Sequence, residues 1–334
     1  MRGEEGDMAG SVRIGFLGAG GIAGHHLKQL QEIRDVRVVA ICDTAPERAQ
    51  ARVQEFGGRS YTSLPAMLER EELDALYVCI PPFAHEDAEL RAAEAGVHLF
   101  VEKPVALTLE KGLEVAAAIR RAGIMSAVGY TLRYLPASTV ARTYLQPLTV
   151  AMVTCNRWGG LPGTPWWRVM DRSGGQLVEM TTHQVDLMRY FLGEIVEVHA
   201  RYASRALTDV PGVTVPDVQL ATFLFAGGAI GSVSTSCALT TGGGRNDMDF
   251  LLRDALVHYT TREVRVTPDS APALPTPVPQ LNIDQAFVEA VRTGSPAPIL
   301  CDYLDGLRTL DVTLAANESA ATGRPVVPYF ARSG

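Results

Sequence analysis

The chain has 334 residues, 47% of them hydrophobic and 20% charged, with a formal net charge of −7. That length suits roughly two domains of ~100–200 residues each, with apolar material for a large core. The acidic balance and the lack of a basic run argue against nucleic acid as the main partner, and no apolar run reaches the ~18 residues of a membrane helix.

Residues 1–11 are polar, lack the apolar core of a signal peptide and are expected to be a disordered tail, with Met8 a candidate natural start. The next run, Val12 to Leu17, reads as a buried strand. It meets Gly18-Ala19-Gly20-Gly21-Ile22-Ala23 and then a helical pattern over 21–32. This is the G-x-G-x-x-G/A turn of a dinucleotide-binding βαβ unit. Gly18 permits the turn, Gly20 lets the backbone approach a pyrophosphate, and Ala23 lets helix and strand pack closely. Free N–H groups and the helix dipole suit a diphosphate at that helix start. The second strand, 36–42, delivers Asp43, close to the ~20-residue spacing of a ribose-binding carboxylate. That favours NAD over NADP. Arg48, one helical turn on, keeps NADP possible.

Strands predicted at 75–80, 97–101 and 125–129 alternate with helices at 46–56, 83–95 and 108–122. The alternation gives a Rossmann doubly wound parallel sheet over 12–130. Pro81-Pro82 stops the third of the predicted strands, Gly96 and Gly123 close helices, and Thr108 caps one. The strand 97–101 ends in Glu102-Lys103-Pro104, and strand carboxyl ends face the ligand crevice in such sheets. Lys103 there suits proton transfer or polarisation of a hydroxyl. A lysine at a strand end is otherwise an ordinary solvated residue.

Beyond residue 130 the pattern changes. A helix at 135–146 precedes strands at 148–157, 195–204, 217–226, 229–239, 247–253 and 255–260, with Phe225-Ala226-Gly227-Gly228 as a hairpin turn. This predicts an α+β domain over 131–334 with a largely antiparallel sheet. One helix, 175–192, interrupts it. The proline-rich stretch 267–281 is expected to be a surface loop. Helices at 283–293 and 302–321 and a short strand at Pro325-Val-Val close the chain. There is no internal repeat.

If 175–192 is one helix, Glu179, His183 and Asp186 share a face at i, i+4, i+7, a base with orienting carboxylates or a plain solvated stripe. Trp166-Trp167-Arg168 in the preceding loop suits either a cover over a ligand or a core anchor. Arg133, after Gly129-Tyr130 at the domain junction, has the same two readings. No metal site is expected, because the histidines form no ligand set. The five cysteines (42, 79, 155, 237, 301) are scattered, odd in number and without C-x-x-C spacing, which suits reduced thiols in the cytoplasm.

Taken together, GFLGAGGIAGHH (15–26), ICD (41–43), VCIPPFAH (78–85), AGVHLFVEKP (95–104), VGYTLRYLP (128–136) and SGGQLVEMTTHQVDLMRYFLGE (173–194) resemble the Gfo/Idh/MocA family of oxidoreductases. The resemblance runs through most of the chain, and the order and spacing of these segments are specific. It implies a nicotinamide-dependent oxidoreductase acting between a hydroxyl and a keto carbon of a sugar, cyclitol or related polyol, and a homodimer or homotetramer through the C-terminal sheet. Lys103 matches the family's catalytic lysine and His183 its catalytic histidine. Glu179 stands where many members have Asp. Pro81, Pro82 and His85 match the loop bordering the cofactor, Glu102 the residue framing the nicotinamide, and Trp167-Arg168 a pair reaching cofactor or substrate. Tyr130, Arg133, Trp166 and Asp186 are substrate candidates. Thr181 replaces a frequent Gly. The substrate is expected between the nicotinamide and helix 175–192. Two alternatives fit the same residues: redox-neutral, NAD-assisted sugar chemistry such as glycoside cleavage, and a non-catalytic NAD(P)-binding regulator.

Overall fold

Strands whose residues are apolar on both faces belong in the middle of a sheet covered on both sides, and that is where the computed structural model puts them. It describes residues 10–332, so residues 1–9 of the expected tail lie outside the described residues. The chain divides into two compact units. The first gathers residues up to Glu102, Glu114–Gly129 and Leu281–Tyr303; the second gathers Lys103–Leu113, Tyr130–Gln280 and residues from Leu304 on.

The first unit holds six parallel strands: β1 (Val12–Leu17), β2 (Val36–Cys42), β3 (Arg59–Tyr61), β4 (Ala75–Val78), β5 (His98–Val101) and β6 (Ser126–Val128). Their order is β3-β2-β1-β4-β5-β6, all pairs parallel. The direction of winding reverses at β1, between β2 and β4, which makes the carboxyl end of β1 the ligand crevice of a doubly wound sheet. Ile14, Phe16 and all of β4 are fully buried. The helices Gly21–Gln31, Pro46–Phe56 and Leu109–Ala122 fall where the sequence predicts them. The predicted helix 83–95 does not form as one. A short turn at Pro82–Ala84 is followed by Glu86 in the left-handed region, and the helix runs only over Ala88–Glu94. His85 holds that turn, with Nε2 3.3 Å from the Ile80 carbonyl and Nδ1 beside the Glu89 carboxylate. β3 and the helix Leu64–Arg70 carry no sequence signal, being too short for a periodicity to register.

The second unit holds a seven-stranded sheet: β7 (Val150–Trp158), β8 (Ile195–Ala203), β9 (Val218–Phe225), β10 (Ile230–Ser236), β11 (Arg245–Leu252), β12 (Leu256–Thr260) and β13 (Val264–Thr267). The order is β13-β12-β11-β7-β10-β9-β8. Only β7 with β10 is parallel, so the sheet is largely antiparallel as expected. The Phe225–Gly228 turn joins β9 to β10, and its Gly228 takes a φ of 87°. The expected strand at Pro325 is reduced to a single bridge between Val198 and Val326. One face of the sheet, with Val153, Cys155, Phe223, Val233, Met248 and Phe250, packs on the helix Thr182–Leu192 through Val185, Met188 and Phe191. The other face is open to solvent.

The predicted helix 175–192 is broken. It consists of a helical turn at Gln176–Glu179 and a helix at Thr182–Leu192, with a separate short turn at Met170–Ser173 before it. The interruption at Met180–Thr181 is pinned by Thr181, whose buried hydroxyl lies 2.7 Å from that of Thr235 on β10. The i, i+4, i+7 stripe of Glu179, His183 and Asp186 is therefore not a feature of this fold, because the three residues are not on one continuous helix.

Candidate active site

In the first unit, β1 ends in the glycine turn. Gly18 has a φ of 101°, and a Cβ there would stand 2.4 Å from the Cys79 carbonyl oxygen, so both its conformation and its space require glycine. At Gly20 and Gly21 a Cβ would meet nothing within 4 Å, so this rim of the turn faces open space. The helix it opens, Gly21–Gln31, has no side-chain cap and no acidic residue in its first turn. Its orphan N–H groups thus point into that space, as a diphosphate requires. Asp43 closes the next strand. Its Oδ2 accepts from the Ala19 N–H (2.8 Å) and its Oδ1 from Ala45 (2.9 Å), which fixes a half-exposed carboxylate beside the turn. Arg52 was not singled out from sequence. Its guanidinium donates to the carbonyls of Ala19 and Gly20, both at 3.3 Å, and only the lack of a Cβ at Gly24 makes room for it. These residues fit a nicotinamide dinucleotide. Ile22 and Arg48 are exposed, while Ala23 is buried.

A second feature of this unit has no local signal in the sequence. His26, on the same helix, is fully buried between two carboxylates, with Nδ1 2.7 Å from Asp284 and Nε2 3.0 Å from Glu102. Burial alone would neutralise the ring. The hydrogen bonds and charges of Asp284 and Glu102 overcome it and push the pKa up to about 9. Glu102 is itself buried and sits where a Cβ on residue 129 would collide with it, which explains Gly129. Pro82 and His85 are buried and Pro81 is half-buried.

The second unit begins at Lys103, directly after Glu102, and its peptide to Pro104 is cis. The Lys103 ammonium donates to the Glu179 Oε1 and to the Glu179 carbonyl, each at 2.7 Å. That carbonyl is available because the helix stops there. The other Glu179 oxygen, Oε2, accepts from the indole N–H of Trp167, which is buried. Glu179 is thus engaged by Lys103 and Trp167, and it does not orient His183.

His183 opens the next helix. Its ring stands edge-on to the buried Tyr130, centroids 5.9 Å apart, and the Tyr130 hydroxyl lies 2.8 Å from that of Thr182. Nδ1 of His183 is buried without a hydrogen-bond partner among the described residues. Desolvation, reinforced by the charges of Lys103 and Arg157, lowers its pKa to about 3, so the imidazole is neutral at any physiological pH. Lys103, Glu179, Trp167, His183 and Tyr130 therefore gather in one unit. Arg133 and Asp186 are elsewhere in purpose: they form a buried bidentate pair (2.8 and 2.6 Å), extended by Asp305 and Thr309. Trp166 is half-buried, and Arg168 donates to the Pro162 carbonyl. Among the described residues no three His, Cys, Asp or Glu side chains gather in a way that could hold a metal ion.

Known proteins share this architecture. Scyllo-inositol 2-dehydrogenase (NAD(+)) of Bacillus subtilis (strain 168) is 28% identical over 340 residues, covering 96% of this chain and 97% of that protein. The structure of GenD2 from gentamicin A biosynthesis, in complex with NAD, is 25% identical with a TM-score of 0.81, covering 96% and 97%. The WlbA enzyme of Chromobacterium violaceum, at 22% identity over 96% of each chain, shares the fold with a TM-score of 0.84. The model of the oxidoreductase family with NAD-binding Rossmann fold matches residues 12–130, and that of the GFO/IDH/MocA C-terminal domain matches 146–252. With both domains matched in order, the chain belongs to the Gfo/Idh/MocA family of NAD-binding oxidoreductases.

Proposed function

We propose that the protein is a dehydrogenase that moves a hydride between NAD and a carbinol carbon of a sugar, cyclitol or related polyol, with Lys103 and His183 as its acid–base pair. The observation that carries this reading is the pairing of an ammonium and a neutral, desolvated imidazole in one half-buried cluster. NAD supplies the hydride acceptor when bound. The protein's part is to hold the reacting hydroxyl and take its proton. The Lys103 ammonium donates to the hydroxyl oxygen and stabilises it as negative charge develops. His183 is unprotonated, so it accepts the proton. Since Nδ1 is sealed inside the protein, Nε2 is the nitrogen that meets the substrate. Glu179 holds the ammonium in place from the far side, and Trp167 fixes Glu179.

NAD is held by the N–H groups following Gly20 and by Asp43, whose carboxylate accepts ribose hydroxyls and repels a 2′-phosphate. Arg133 and Asp186 support the cluster rather than contact the substrate. All five cysteines are free and buried, which supports a reducing, cytoplasmic setting. Among the described residues no helix is long and apolar enough to cross a membrane.

The open sheet face carries the assembly reading. Leu224, Ile230, Met152, Leu251 and Leu256 are in register across β9, β10, β7, β11 and β12, forming one apolar row over five strands, with Ile230 54% exposed. A row of that kind, flat and self-complementary, suits a second copy of the same chain. The direct test of the activity is absorbance of reduced cofactor during incubation with a panel of sugars, sugar acids, sugar phosphates and cyclitols plus NAD or NADP. Lack of cofactor reduction across the panel, with NAD bound, would refute the dehydrogenase reading.

A further inference from the structure

The inward face of the second sheet is apolar until its last row. There, in register, stand Gln219 (β9), Thr235 (β10), Arg157 (β7) and Asn246 (β11). This polar row lies under the break that separates Glu179 from His183. Thr235 bonds Thr181 and Gln176, and Asn246 accepts from Gln184, so the row is tied to both sides of the break. Neither the buried Gln219 amide nor Arg157, which stands between Thr235 and Asn246, has such a tie. The Arg157 guanidinium makes no hydrogen bond or ion pair among the described residues, although it is withdrawn from water enough for desolvation to lower its pKa. It is close enough to His183 to act on that ring electrostatically. Gly159 leaves it room, since a Cβ there would stand 2.8 Å from Nη1.

A chain with 37 acidic residues thus leaves one partly desolvated cation beside its reactive histidine without a counter-ion. Desolvating an unpaired charge is costly, so such an arrangement calls for an anion from outside the chain. A planar guanidinium matches a carboxylate or phosphate in two-point contact.

We propose that Arg157 binds an oxyanion of the substrate, so that the substrate is a sugar acid or a sugar phosphate and not a neutral polyol. This rests on the dehydrogenase reading above for the identity of the site. The anion also has a chemical consequence: against Arg157 it reduces the positive field at His183 and strengthens that imidazole as a base when substrate is bound.

The test is calorimetric titration of the full-length protein loaded with NADH. The ligands are matched sets, each a hexuronate, a hexose monophosphate and the neutral hexose of one configuration. At least one charged member is expected to bind about 10- to 100-fold more tightly than its neutral partner. Preference for the uronate identifies a carboxylate, and preference for the monophosphate identifies a phosphate. Arg157→Gln should bring the ratio within about threefold, and Arg157→Lys, which keeps the charge and guards against loss of fold, should retain part of it. Equal affinity for charged and neutral members, absence of any charged binder, or a preference that survives Arg157→Gln overturns the proposal. Turnover separates the two readings. Oxidation of neutral sugars without preference defeats the anion site alone, whereas tight binding of a charged sugar that never reduces NAD defeats the dehydrogenase alone.

Discussion

Glu179 holds the Lys103 ammonium twice, accepting from it through both the side-chain carboxylate and the main-chain carbonyl at 2.7 Å. Two acceptors from one residue fix both the position and the direction of the nitrogen. The second contact exists only because the helix is interrupted after Glu179.

Lys103→Ala should therefore abolish chemistry while sparing the cofactor. Loss of one general acid–base group costs about 10²- to 10⁴-fold in turnover. NAD affinity, followed by fluorescence titration, should stay within about threefold. Near-normal turnover in this variant removes Lys103 from the mechanism. Glu179→Gln keeps the shape but weakens the clamp, and a smaller loss of about 10- to 100-fold in kcat is expected.

Asp43 accepts from Ala19 and Ala45 and retains lone pairs for ribose hydroxyls. Asp43→Ser removes the charge that repels a 2′-phosphate. The ratio of kcat/KM for NAD over NADP should fall about 10- to 100-fold. An unchanged ratio refutes the ribose assignment.

His26 and His183 give stability opposite dependences on pH. His26 has a native pKa of about 9 against 6.5 ordinarily, so the folded state holds this proton more tightly. Its stabilisation is complete below about pH 6.5 and is lost as pH rises through about 9, on the order of 3 kcal/mol in all. His183, at about 3, is the reverse: the unfolded chain takes up its proton first, so stability falls as pH drops from about 6.5 towards 3. Urea unfolding across pH should peak near the ordinary histidine value. His26→Gln should flatten the alkaline side specifically, with Glu102, Asp284, Tyr77 and Cys79 as the groups left around it. An alkaline limb that persists in this variant assigns it to another group.

Asp186 tests structure apart from chemistry. It faces Arg133 in a buried bidentate pair, and breaking such a pair costs about 3–5 kcal/mol. Asp186→Asn should lower the melting temperature markedly, while kcat of the protein that remains folded changes far less than in Lys103→Ala. A variant with unchanged melting and lost kcat would place Asp186 in the reaction instead.

On the outer sheet face, Ile230→Asp together with Met152→Asp puts charge in the middle of the apolar row. Sedimentation should shift from an oligomer to a monomer with unchanged circular dichroism. An unaltered sedimentation coefficient moves the interface elsewhere.

What the sequence determined by itself is everything carried by short-range pattern. The glycine turn, Asp43, the strand–helix alternation and the change to strand-rich periodicity after residue 130 are local, because turns and amphipathic periods are read within a few residues. Lys103 and His183 were legible as reactive types at suggestive positions. Their partners were not. Glu179 was expected on one helical stripe with His183, and the fold instead breaks that helix through a hydroxyl contact from Thr181 to Thr235, 54 residues away. His26 meets Asp284 across 258 residues, and nothing near either of them announces it. Arg157 carries no local signal: only its register neighbours Thr235 and Asn246, which find hydrogen-bond partners where it finds none among the described residues, set it apart. Pairing and desolvation are set by which distant segments meet, so protonation, clamping and the unmatched cation belong to the tertiary structure alone.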